Sequence, residues 1–493
     1  MLRRIRIVAA VIFFGLVTLL LLDFSGTLHA WFGWMARVQL LPAVLAANAA
    51  VVVVLVLLTL LFGRVYCSVV CPLGVMQDVV SWAAGKRKRF RFGYTPERRW
   101  LRYGMLVLFI VLMAAGIGQL AALVAPYSAY GRIAVNLFAP IYQAGNNLLA
   151  WGAERIGSYA FYPVEVWLRS GVTLLIAAVT FVLVAFLAWR GGRTWCNTVC
   201  PVGTVLGLLS RFSLFKPRFD VSKCNGCKLC SRSCKASCID PVAHRIDYSR
   251  CVACMDCLES CRQGAITYSL RRPKSAPAAD EGPKIDAARR RFLVVAGLFV
   301  GSAVRAQQMK VDGGLALIED KKIPDRSVPL TPPGSLGARN LAAHCTACQL
   351  CVSACPNQVL RPSAGLMTLM RPEMSYERGY CRPECVRCSE VCPTGAIRPI
   401  TVGEKSSVQI GRAVWVRANC LVVTDGVKCT SCARHCPAAA IHLVPMNPDD
   451  PSSLRIPAVN EARCIGCGAC ENLCPVRPFS AIYVEGHAVH RTV

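Results

Sequence analysis

The cysteines of this chain are grouped in a way that predicts iron–sulfur chemistry. Twenty-four of the 29 cysteines fall into six groups of four, and most neighbours within a group are separated by two or three residues. Short loops of this kind wrap thiolates around the corners of one iron–sulfur cube. Zinc sites and disulfide frameworks do not require such spacing six times over. The pattern therefore predicts six [4Fe-4S] clusters and a chain that moves single electrons.

The first two groups match the run of a two-cluster bacterial ferredoxin. Within residues 216–270 they are Cys224, Cys227, Cys230 and Cys234, followed by Cys251, Cys254, Cys257 and Cys261. In such a run three cysteines bind one cluster and the fourth crosses to the other, so Cys261 completes the first cluster. Lys235 and Arg262 stand where proline is usual. Because Cys238 is an extra thiol, the sequence leaves either Cys234 or Cys238 as the ligand that crosses to the second cluster.

Four further groups use all sixteen cysteines of residues 307–493. They are Cys345, Cys348, Cys351 and Cys355; Cys381, Cys385, Cys388 and Cys392; Cys420, Cys429, Cys432 and Cys436; and Cys464, Cys467, Cys470 and Cys474. The sequence does not specify how these four groups pair. Apolar residues after the prolines, at 396–397 and 440–444, predict edge strands. Each unit is too small to fold on an apolar core, so we expect the clusters to hold it together.

A different cysteine motif occurs twice, 129 residues apart. Cys67 and Cys71 form a C-x-x-x-C-P motif after one apolar stretch, and Cys196 and Cys200 form another after a later stretch. A two-fold arrangement of the repeats would bring four thiols near one axis, where they could hold a seventh iron–sulfur centre. Three-residue spacing alone does not define such a site. Free thiols, or two separate thiol pairs that handle metal or redox exchange, are the alternatives.

Four apolar stretches are long enough to cross a bilayer and would position these motifs. They cover residues 5–22, 41–62, 103–124 and 172–189. Residues 64–102 carry nine Lys and Arg, whereas residues 24–40 carry one and residues 125–170 carry three. By the positive-inside rule, both ends of the bundle and both C-x-x-x-C-P motifs lie in the cytoplasm.

The charge and composition of the chain point to a membrane protein. The formal net charge is +28, yet residues 1–306 hold 36 Lys and Arg against 13 Asp and Glu, while residues 307–493 hold 20 against 15. The excess therefore lies in the half with the apolar stretches, as in cytoplasmic loops, and we expect no nucleic-acid partner. A hydrophobic share of 54% and a mean hydropathy of +0.43 exclude a purely soluble protein.

A linker joins the two halves and contains an export signal. Residues 271–291 are rich in Pro, Ala, Lys and Arg, and Arg289, Arg290 and Arg291 precede Phe292 and an apolar run. This pattern is typical of a twin-arginine signal, a route that exports folded proteins with their clusters already inserted. The alternative is a charged run beside a short helix that stays cytoplasmic. The sequence does not decide whether the signal is cleaved.

These observations define a fold class and a domain organisation. We expect a four-helix transmembrane bundle with an internal repeat in residues 1–215 and a cytoplasmic two-cluster ferredoxin domain in 216–270. A linker with the internal signal or anchor follows in 271–306, and a periplasmic four-cluster polyferredoxin domain in 307–493. The cluster domains are predicted to be α+β units of the bacterial ferredoxin type. The chain is expected in the bacterial inner membrane, with residues 216–291 cytoplasmic and 307–493 periplasmic.

The two halves resemble two known partner proteins. The first 270 residues, with both C-x-x-x-C-P motifs and the two-cluster run, are similar to the membrane ferredoxin NapH and to MauN. The remainder, with its twin-arginine signal and four cysteine groups, resembles the exported polyferredoxins NapG and MauM, although here both are fused. The resemblance implies that quinol is the substrate, that membrane lipid and quinone are partners, and that a periplasmic multihaem cytochrome or terminal reductase accepts the electrons. The direction of electron flow, the quinone type and the acceptor stay unspecified.

No nucleophile and no nucleotide-binding loop is recognisable, so no catalytic residue is assigned from the sequence. Asp23, His29, Glu154 and Glu165 are candidate proton acceptors near the exported face, and each could equally be a solvated or interfacial residue. The alternative function, from a different class, is an accessory reductase. It would supply electrons for assembly or reactivation of a periplasmic metalloenzyme.

Overall fold

The first 210 residues are almost entirely helical in the computed structural model, which describes residues 1–23, 26–86, 92–270 and 319–492. Runs of Leu, Ala, Val and Ile without proline form the longer helices. The helices are α1 (Leu2–Leu22), α2 (Thr27–Phe32), α3 (Trp34–Arg37), α4 (Leu40–Leu45), α5 (Ala49–Phe62), α6 (Val65–Val69), α7 (Pro72–Lys86), α8 (Arg99–Ala114), α9 (Gly118–Val124), α10 (Pro126–Ile133), α11 (Ala139–Arg155), α12 (Gly171–Gly191), α13 (Thr194–Thr198) and α14 (Pro201–Ser210). A π-helical segment, Ala134–Phe138, joins α10 to α11.

Two of the four predicted apolar helices form without interruption. Helices α1 and α12 are each 21 residues long, and within the described residues these two are long and apolar enough to cross a bilayer. The second predicted helix is divided into α4 and α5. Ala47 takes a left-handed conformation there, and the Asn48 side chain caps α5 by accepting a hydrogen bond from the Val51 amide.

The third predicted helix also differs from a continuous span. It begins earlier, at the start of α8, and is interrupted before α9, where Gly116 has a φ of 73°. A glycine in this conformation is a common helix terminator. A hydropathy profile does not detect such backbone breaks. The structure therefore does not show a bundle of four continuous transmembrane helices.

Each C-x-x-x-C-P motif forms the same corner between two helices. The first cysteine lies in a single-turn helix, α6 or α13, and the proline begins the next helix, α7 or α14. Proline suits this position because its missing N–H would have no helical partner there. The Cys200 thiol accepts a hydrogen bond from the Gly203 amide at 3.3 Å.

Residues 215–270 form a small α+β unit with two short sheets. Strand β1 (Phe215–Phe219) pairs antiparallel with β4 (Ile266–Leu270), which closes the unit on itself, and β2 (Ile239–Asp240) pairs with β3 (Arg245–Ile246). The unit also contains a 3₁₀ turn, Val221–Lys223, and the helices α15 (Leu229–Ser233) and α16 (Asp256–Ser260).

The C-terminal region repeats this pattern of short helices and two-stranded sheets. Its helices are α17 (Ala338–His344), α18 (Leu350–Ala354), α19 (Arg387–Val391), α20 (Val402–Ser407), α21 (Leu421–Thr424), α22 (Ser431–Arg434) and α23 (Ala469–Leu473), with a 3₁₀ turn at Arg417–Asn419. Its strands are β5 (Leu360–Pro362), β6 (Pro372–Met374), β7 (Val408–Trp415), β8 (Ile441–Pro445), β9 (Arg455–Val459) and β10 (Ile482–Thr492). They pair antiparallel as β5 with β6, β7 with β10 and β8 with β9. The strand predicted at 440–444 is present as β8, whereas residues 396–397 form no strand.

The two ends of α1 contact different cysteine-rich regions. At its N-terminal end, Arg3 forms an ion pair with Asp256 of α16 at 2.7 Å. Just beyond its C-terminal end, Gly26 lies against the guanidinium group of Arg387 in α19. A helix of 21 residues is about 30 Å long. Helix α1 therefore separates the two ferredoxin-like regions by about the thickness of a bilayer core.

The connection between α1 and α5 folds back towards the first C-x-x-x-C-P motif. Gln39, predicted to lie in an exported loop, is fully buried. It accepts a hydrogen bond from the Tyr66 hydroxyl group at 2.9 Å and donates one to the Val70 carbonyl at 3.4 Å. The segment that begins beside Arg387 thus reaches the residues next to Cys67 and Cys71. The predicted linker and its signal, with Arg289 and Arg290, lie outside the described residues.

Candidate iron–sulfur centres

The cysteines of residues 216–270 converge in two groups, each with three from one run and the fourth from the other. Site A consists of Cys224, Cys227, Cys230 and Cys261, and site B of Cys251, Cys254, Cys257 and Cys234. The thiols of site A, with Phe219, line a pocket of about 360 Å³. Because β1 pairs with β4, the end of the second run lies beside the start of the first.

The structure distinguishes between the two candidate crossing cysteines. The Cys234 thiol faces Cys254 and Cys257. Cys238 lies to one side, with its sulfur 3.6 Å from that of Cys234 and in hydrogen-bond contact with Cys251. Cys238 is therefore a buried fifth thiol beside site B, whereas Cys234 is the fourth cysteine of that site.

The four C-terminal groups pair in the same way, first with second and third with fourth. Site C consists of Cys345, Cys348, Cys351 and Cys392, and site D of Cys381, Cys385, Cys388 and Cys355. Site E consists of Cys420, Cys429, Cys432 and Cys474, and site F of Cys464, Cys467, Cys470 and Cys436. Every fourth cysteine crosses to the partner group, which the sequence left open.

The thiols of these sites fit clusters better than single ions. Site E lines a pocket of about 340 Å³ with all four of its thiols. Among the described residues, no three His, Cys, Asp or Glu groups converge closely enough to hold one ion, as zinc–sulfur bonds of about 2.3 Å would require. Burial raises the pKa of the Cys345 thiol to about 12 and that of Cys348 to about 11. Iron must therefore displace protons from these thiols on binding.

The two C-x-x-x-C-P motifs bring their thiols together in the interior of the helical part. The repeat site consists of Cys67, Cys71, Cys196 and Cys200, all buried, and each of the other three thiols lies within electrostatic range of Cys200. This arrangement supplies four sulfur ligands from two repeats. A shared cluster needs four thiols arranged in this way, whereas two independent thiol pairs do not need it.

Two buried arginines cross between the repeats at this site. Arg64 donates to the Cys196 carbonyl at 3.2 Å and lies 3.8 Å from the Cys67 sulfur. Arg193, in the equivalent position, donates to the Cys67 carbonyl at 2.7 Å and lies 3.9 Å from the Cys196 sulfur. Each guanidinium therefore binds the backbone of the other repeat. Positive charge this close would stabilise an anionic cluster.

Asp78 and Lys235 break the symmetry of the repeat site and attach it to site B. Asp78 pairs with Arg193 at 2.9 Å and with Arg6 at 2.8 Å. Lys235, the residue in place of the usual proline after Cys234, lies 3.7 Å from Asp78 and 3.1 Å from Asp256. The departure from the ferredoxin pattern thus forms a buried ionic link between the helical part and the two-cluster unit.

Site C is enclosed by the helical part and surrounded by buried positive charge. Asn136, in the π-helical segment, donates to the Gln349 side chain at 2.7 Å. Arg132 lies near Cys348, Arg169 near Cys351 and Cys355, and Arg371 near Cys345. Among the described residues, no carboxylate lies within ion-pair distance of these three arginines. With a cluster bound at site C, its thiolates would supply the counter-charge.

Sites D and F meet across the two C-terminal pairs. The Cys381 amide donates to the Cys467 carbonyl at 2.9 Å. Tyr376, which is buried, lies between these cysteines and donates to the Gly466 carbonyl at 2.6 Å. Burial raises the pKa of the Tyr376 hydroxyl group well above its usual value, so it stays neutral. The four sites therefore form a row in the order C, D, F and E.

Of the predicted proton acceptors, Asp23 and His29 come together and the other two do not. His29 Nδ1 lies 3.1 Å from an Asp23 carboxylate oxygen, and both side chains are buried. Glu165 pairs with Arg378 on the surface, and Glu154 is exposed.

Comparison with known families agrees with this geometry. A family described as "4Fe-4S dicluster domain" matches residues 344–412 and 427–477. Families described as "4Fe-4S binding domain" match residues 45–91 and 170–221, and residues 244–267. The first of these covers both C-x-x-x-C-P motifs.

Curated relatives match about a third of the chain. The methylamine utilization ferredoxin-type protein MauM of Methylobacillus flagellatus is 32% identical over 166 residues, which cover 33% of this chain and 70% of the relative. The ferredoxin-type protein NapF of Escherichia coli is 30% identical over 180 residues, 36% of this chain and all of the relative. The chain belongs to the ferredoxin-type iron–sulfur proteins.

Other ferredoxin-type relatives include NapG of Escherichia coli, 29% identical over 184 residues, with 34% of this chain and 77% of the relative covered. No solved structure matches the chain. The family carries several iron–sulfur clusters and transfers electrons, and this ferredoxin-type protein shares both properties.

Sequence reasoning missed the residues that surround the cysteines. Arg64 and Arg193 each stand three positions before the first cysteine of a motif, so the repeat alignment contains a signal that could have identified them. Arg132, Arg169 and Arg371 lie far apart in the chain, and no local pattern indicates their convergence on site C.

Proposed function

We propose that this protein is a membrane-bound quinol dehydrogenase module. It would combine a NapH-like or MauN-like membrane part with a NapG-like or MauM-like exported polyferredoxin in one chain. Electrons from quinol would pass through the cysteine sites to a periplasmic acceptor. The observation that carries this proposal is the position of the cysteine sites in two groups, at opposite ends of α1.

Exposed apolar side chains support a membrane location. The outward faces of α1, α5, α8 and α12 expose residues such as Val11, Val53, Ile110 and Val182. Only 28% of the apolar window of α1 and 22% of that of α12 are buried. Core helices of a soluble protein would be covered, whereas lipid can cover an exposed apolar face of this extent.

The row of sites C, D, F and E supports an unbranched conduit on the exported side. Site C adjoins the helical part, and site E lies at the far end with Cys429 and Cys432 partly exposed. A bound [4Fe-4S] cluster exchanges one electron at a time. Site E is therefore the natural contact point for a multihaem cytochrome or terminal reductase.

The residues on the cytoplasmic side support a second group of centres that communicates with the repeat site. Arg64 donates to the Ser249 carbonyl at 3.1 Å and lies near Cys251 of site B. Arg102 donates to the same carbonyl at 3.0 Å. These contacts hold site B against the repeat site, with site A beyond it.

The decisive experiment is reduction by quinol. The full chain, purified anaerobically and reconstituted in lipid nanodiscs, is mixed with menadiol, and cluster reduction is followed by visible absorbance and electron paramagnetic resonance. We expect menadiol to reduce the centres, and about 24 iron atoms per chain for six cubes. Centres that respond to dithionite but not to menadiol would contradict the proposal, and the accessory-reductase function would then be favoured.

Topology provides an independent test. A reporter fused after Val493 is expected on the periplasmic side, and one fused after Leu270 in the cytoplasm. Replacing Arg289 and Arg290 with Lys should keep the C-terminal reporter in the cytoplasm, because twin-arginine export requires both arginines. Continued export of that variant would exclude the signal.

The repeat site can be tested by single substitutions. If its four thiols share one cluster, Cys67→Ser and Cys196→Ser should remove the same spectroscopic centre, since three thiolates hold a cluster poorly. Two separate thiol pairs would instead give different phenotypes. Iron content in both variants that is unchanged from the wild-type chain would exclude a seventh centre.

A further inference from the structure

A histidine–carboxylate pair is buried at the C-terminal end of α1. The His29 side chain is 7% exposed and that of Asp23 is 3% exposed. The Asp23 carboxylate also accepts hydrogen bonds from the amides of Gly26 and Leu28, both at 2.9 Å. These donors favour an ionised carboxylate, which then accepts the Nδ1 proton of His29.

The second ring nitrogen of His29 is unpaired among the residues that the structure describes. Within that part of the chain, His29 Nε2 is enclosed and makes no hydrogen bond. With the proton on Nδ1, Nε2 carries a lone pair and is an acceptor. Leaving a buried polar atom unpaired destabilises the protein. A donor from outside the chain would satisfy this nitrogen.

The surroundings of His29 suit an amphipathic donor. Trp31 is 79% exposed and Trp34 is 53% exposed, on the two short helices that follow Asp23. Tryptophan is enriched at membrane–water interfaces, where an apolar body and a polar tip are both accommodated. A quinol has the same character, with a hydroxyl-bearing ring and an apolar tail.

The same segment rests on the helix between two cluster sites. The Arg37 guanidinium donates to the Glu390 carbonyl of α19 at 2.8 Å, and Gly26 lies against Arg387. Helix α19 begins beside Cys388 of site D and ends beside Cys392 of site C. Electrons released beside His29 are therefore next to two one-electron acceptors.

We propose that His29, oriented by Asp23, accepts a proton from quinol and is a catalytic residue of the quinol site. This inference rests on the proposed function. Oxidation of one quinol to quinone releases two protons and two electrons. One hydroxyl proton passes to His29 Nε2 and then to water, and the other leaves directly to water on the same side. Clusters held by the cysteines of sites C and D would each supply an acceptor for one of the two electrons.

The test uses His29→Gln in the full chain in nanodiscs. Menadiol reduction of the centres should slow by at least about 100-fold, the usual contribution of a positioned proton acceptor. Reduction by dithionite and iron content should stay at wild-type levels. Asp23→Asn should show a similar loss, because an amide that donates to Nδ1 places the proton on Nε2. His442→Gln, an exposed histidine on β8, is the matched control and should react like wild type.

Binding supplies a second measurement that does not depend on turnover. The fluorescence of 2-heptyl-4-hydroxyquinoline N-oxide, a quinol-site inhibitor, is quenched when it binds. We expect the inhibitor to bind at least tenfold more weakly to His29→Gln than to the wild type. If the variant also loses iron, this binding measurement decides the test. Wild-type binding or wild-type menadiol reduction in His29→Gln would overturn the His29 site and leave the quinol function standing. A wild-type protein that menadiol does not reduce would overturn both.

Discussion

Sites C and E are assembled alike and surrounded differently. Each takes three cysteines from one run and a fourth from the partner group, Cys392 or Cys474. Site C is enclosed by the helical part, by the buried Arg132 and Arg371 and by the half-buried Arg169. The pocket of site E is lined by apolar side chains such as Trp415 and Ile482 and is partly open to solvent.

The difference shows how a repeated ligand geometry can serve different positions in a conduit. A cluster with four thiolates carries negative charge, and burial destabilises that charge unless cations or water offset it. At site E water is available. At site C arginines perform this role, two of them from the helical half of the chain. Ligand spacing therefore specifies the cluster, and the covering segment adjusts its potential.

The largest expected effect comes from removing the crossing ligand of each site. Cys392→Ser should lower iron from about 24 to about 20 atoms and slow the passage of electrons from menadiol to sites F and E, because site D alone then accepts them directly. Cys474→Ser should lose as much iron, while menadiol still reduces sites C, D and F. Iron analysis and electron paramagnetic resonance would check both.

The pairing itself is tested by the same series. Cys388→Ser, in the short helix α19 that ends just before Cys392, should remove site D and leave the site C signal. If Cys388→Ser and Cys392→Ser remove one and the same centre, the crossed pairing is wrong.

A smaller effect is expected from the charge around site C. Arg132→Gln should lower the midpoint potential of the site C centre by several tens of millivolts, because a buried cation no longer stabilises the added electron. Arg434→Gln, an exposed residue beside site E, is the control and should leave every potential within error. Redox titration with spectroscopic detection measures both. Equal shifts of the midpoint potential in Arg132→Gln and Arg434→Gln would show that the charge around site C does not distinguish it from site E.

The junction between sites D and F should show a moderate loss of stability. Gly468→Ala would place a Cβ atom in steric overlap with the ring of Tyr376, and we expect about 1–3 kcal/mol of destabilisation. Gly426→Ala also replaces a glycine with positive φ, but no atom lies within 4 Å, so it isolates the backbone cost. Denaturant unfolding of the loaded proteins compares them. Equal losses of stability in the two variants would mean that the Tyr376 ring moves aside at little energetic cost.

The smallest effect is expected at the surface where the helical part meets the C-terminal region. Glu165 and Arg378 form an ion pair with side chains 61% and 36% exposed. Glu165→Gln should change the free energy of unfolding by less than about 1 kcal/mol and leave the site C potential unchanged. A potential shift as large as that of Arg132→Gln would show that burial does not control the electrostatics of site C.

The local pattern of the sequence was sufficient for the ligand types, the cluster class and the two-fold C-x-x-x-C-P repeat. Cysteines two or three residues apart lie within one loop. The local sequence therefore shows by itself which ligands that loop offers. The crossing of Cys261 could be anticipated for the same reason, since a short loop wraps only three corners of a cube. Strand β8 followed from an apolar run. Continuous helices over 41–62 and 103–124 did not form, because single-residue backbone breaks at Ala47 and Gly116 have no hydropathy signature.

Tertiary structure alone decided which distant residues meet. The assignment of Cys234 over Cys238, the pairing of the C-terminal groups and the ion pair of Lys235 with Asp78 all depend on packing between segments far apart in the chain. Charge counts could not place Gln39 beside Tyr66. A segment has the same charge and polarity whether it folds back into the protein or stays in a loop. The sequence by itself thus determined what each cysteine group can bind. Long-range packing determined what surrounds each group, since burial and neighbouring charge arise only when distant segments come together.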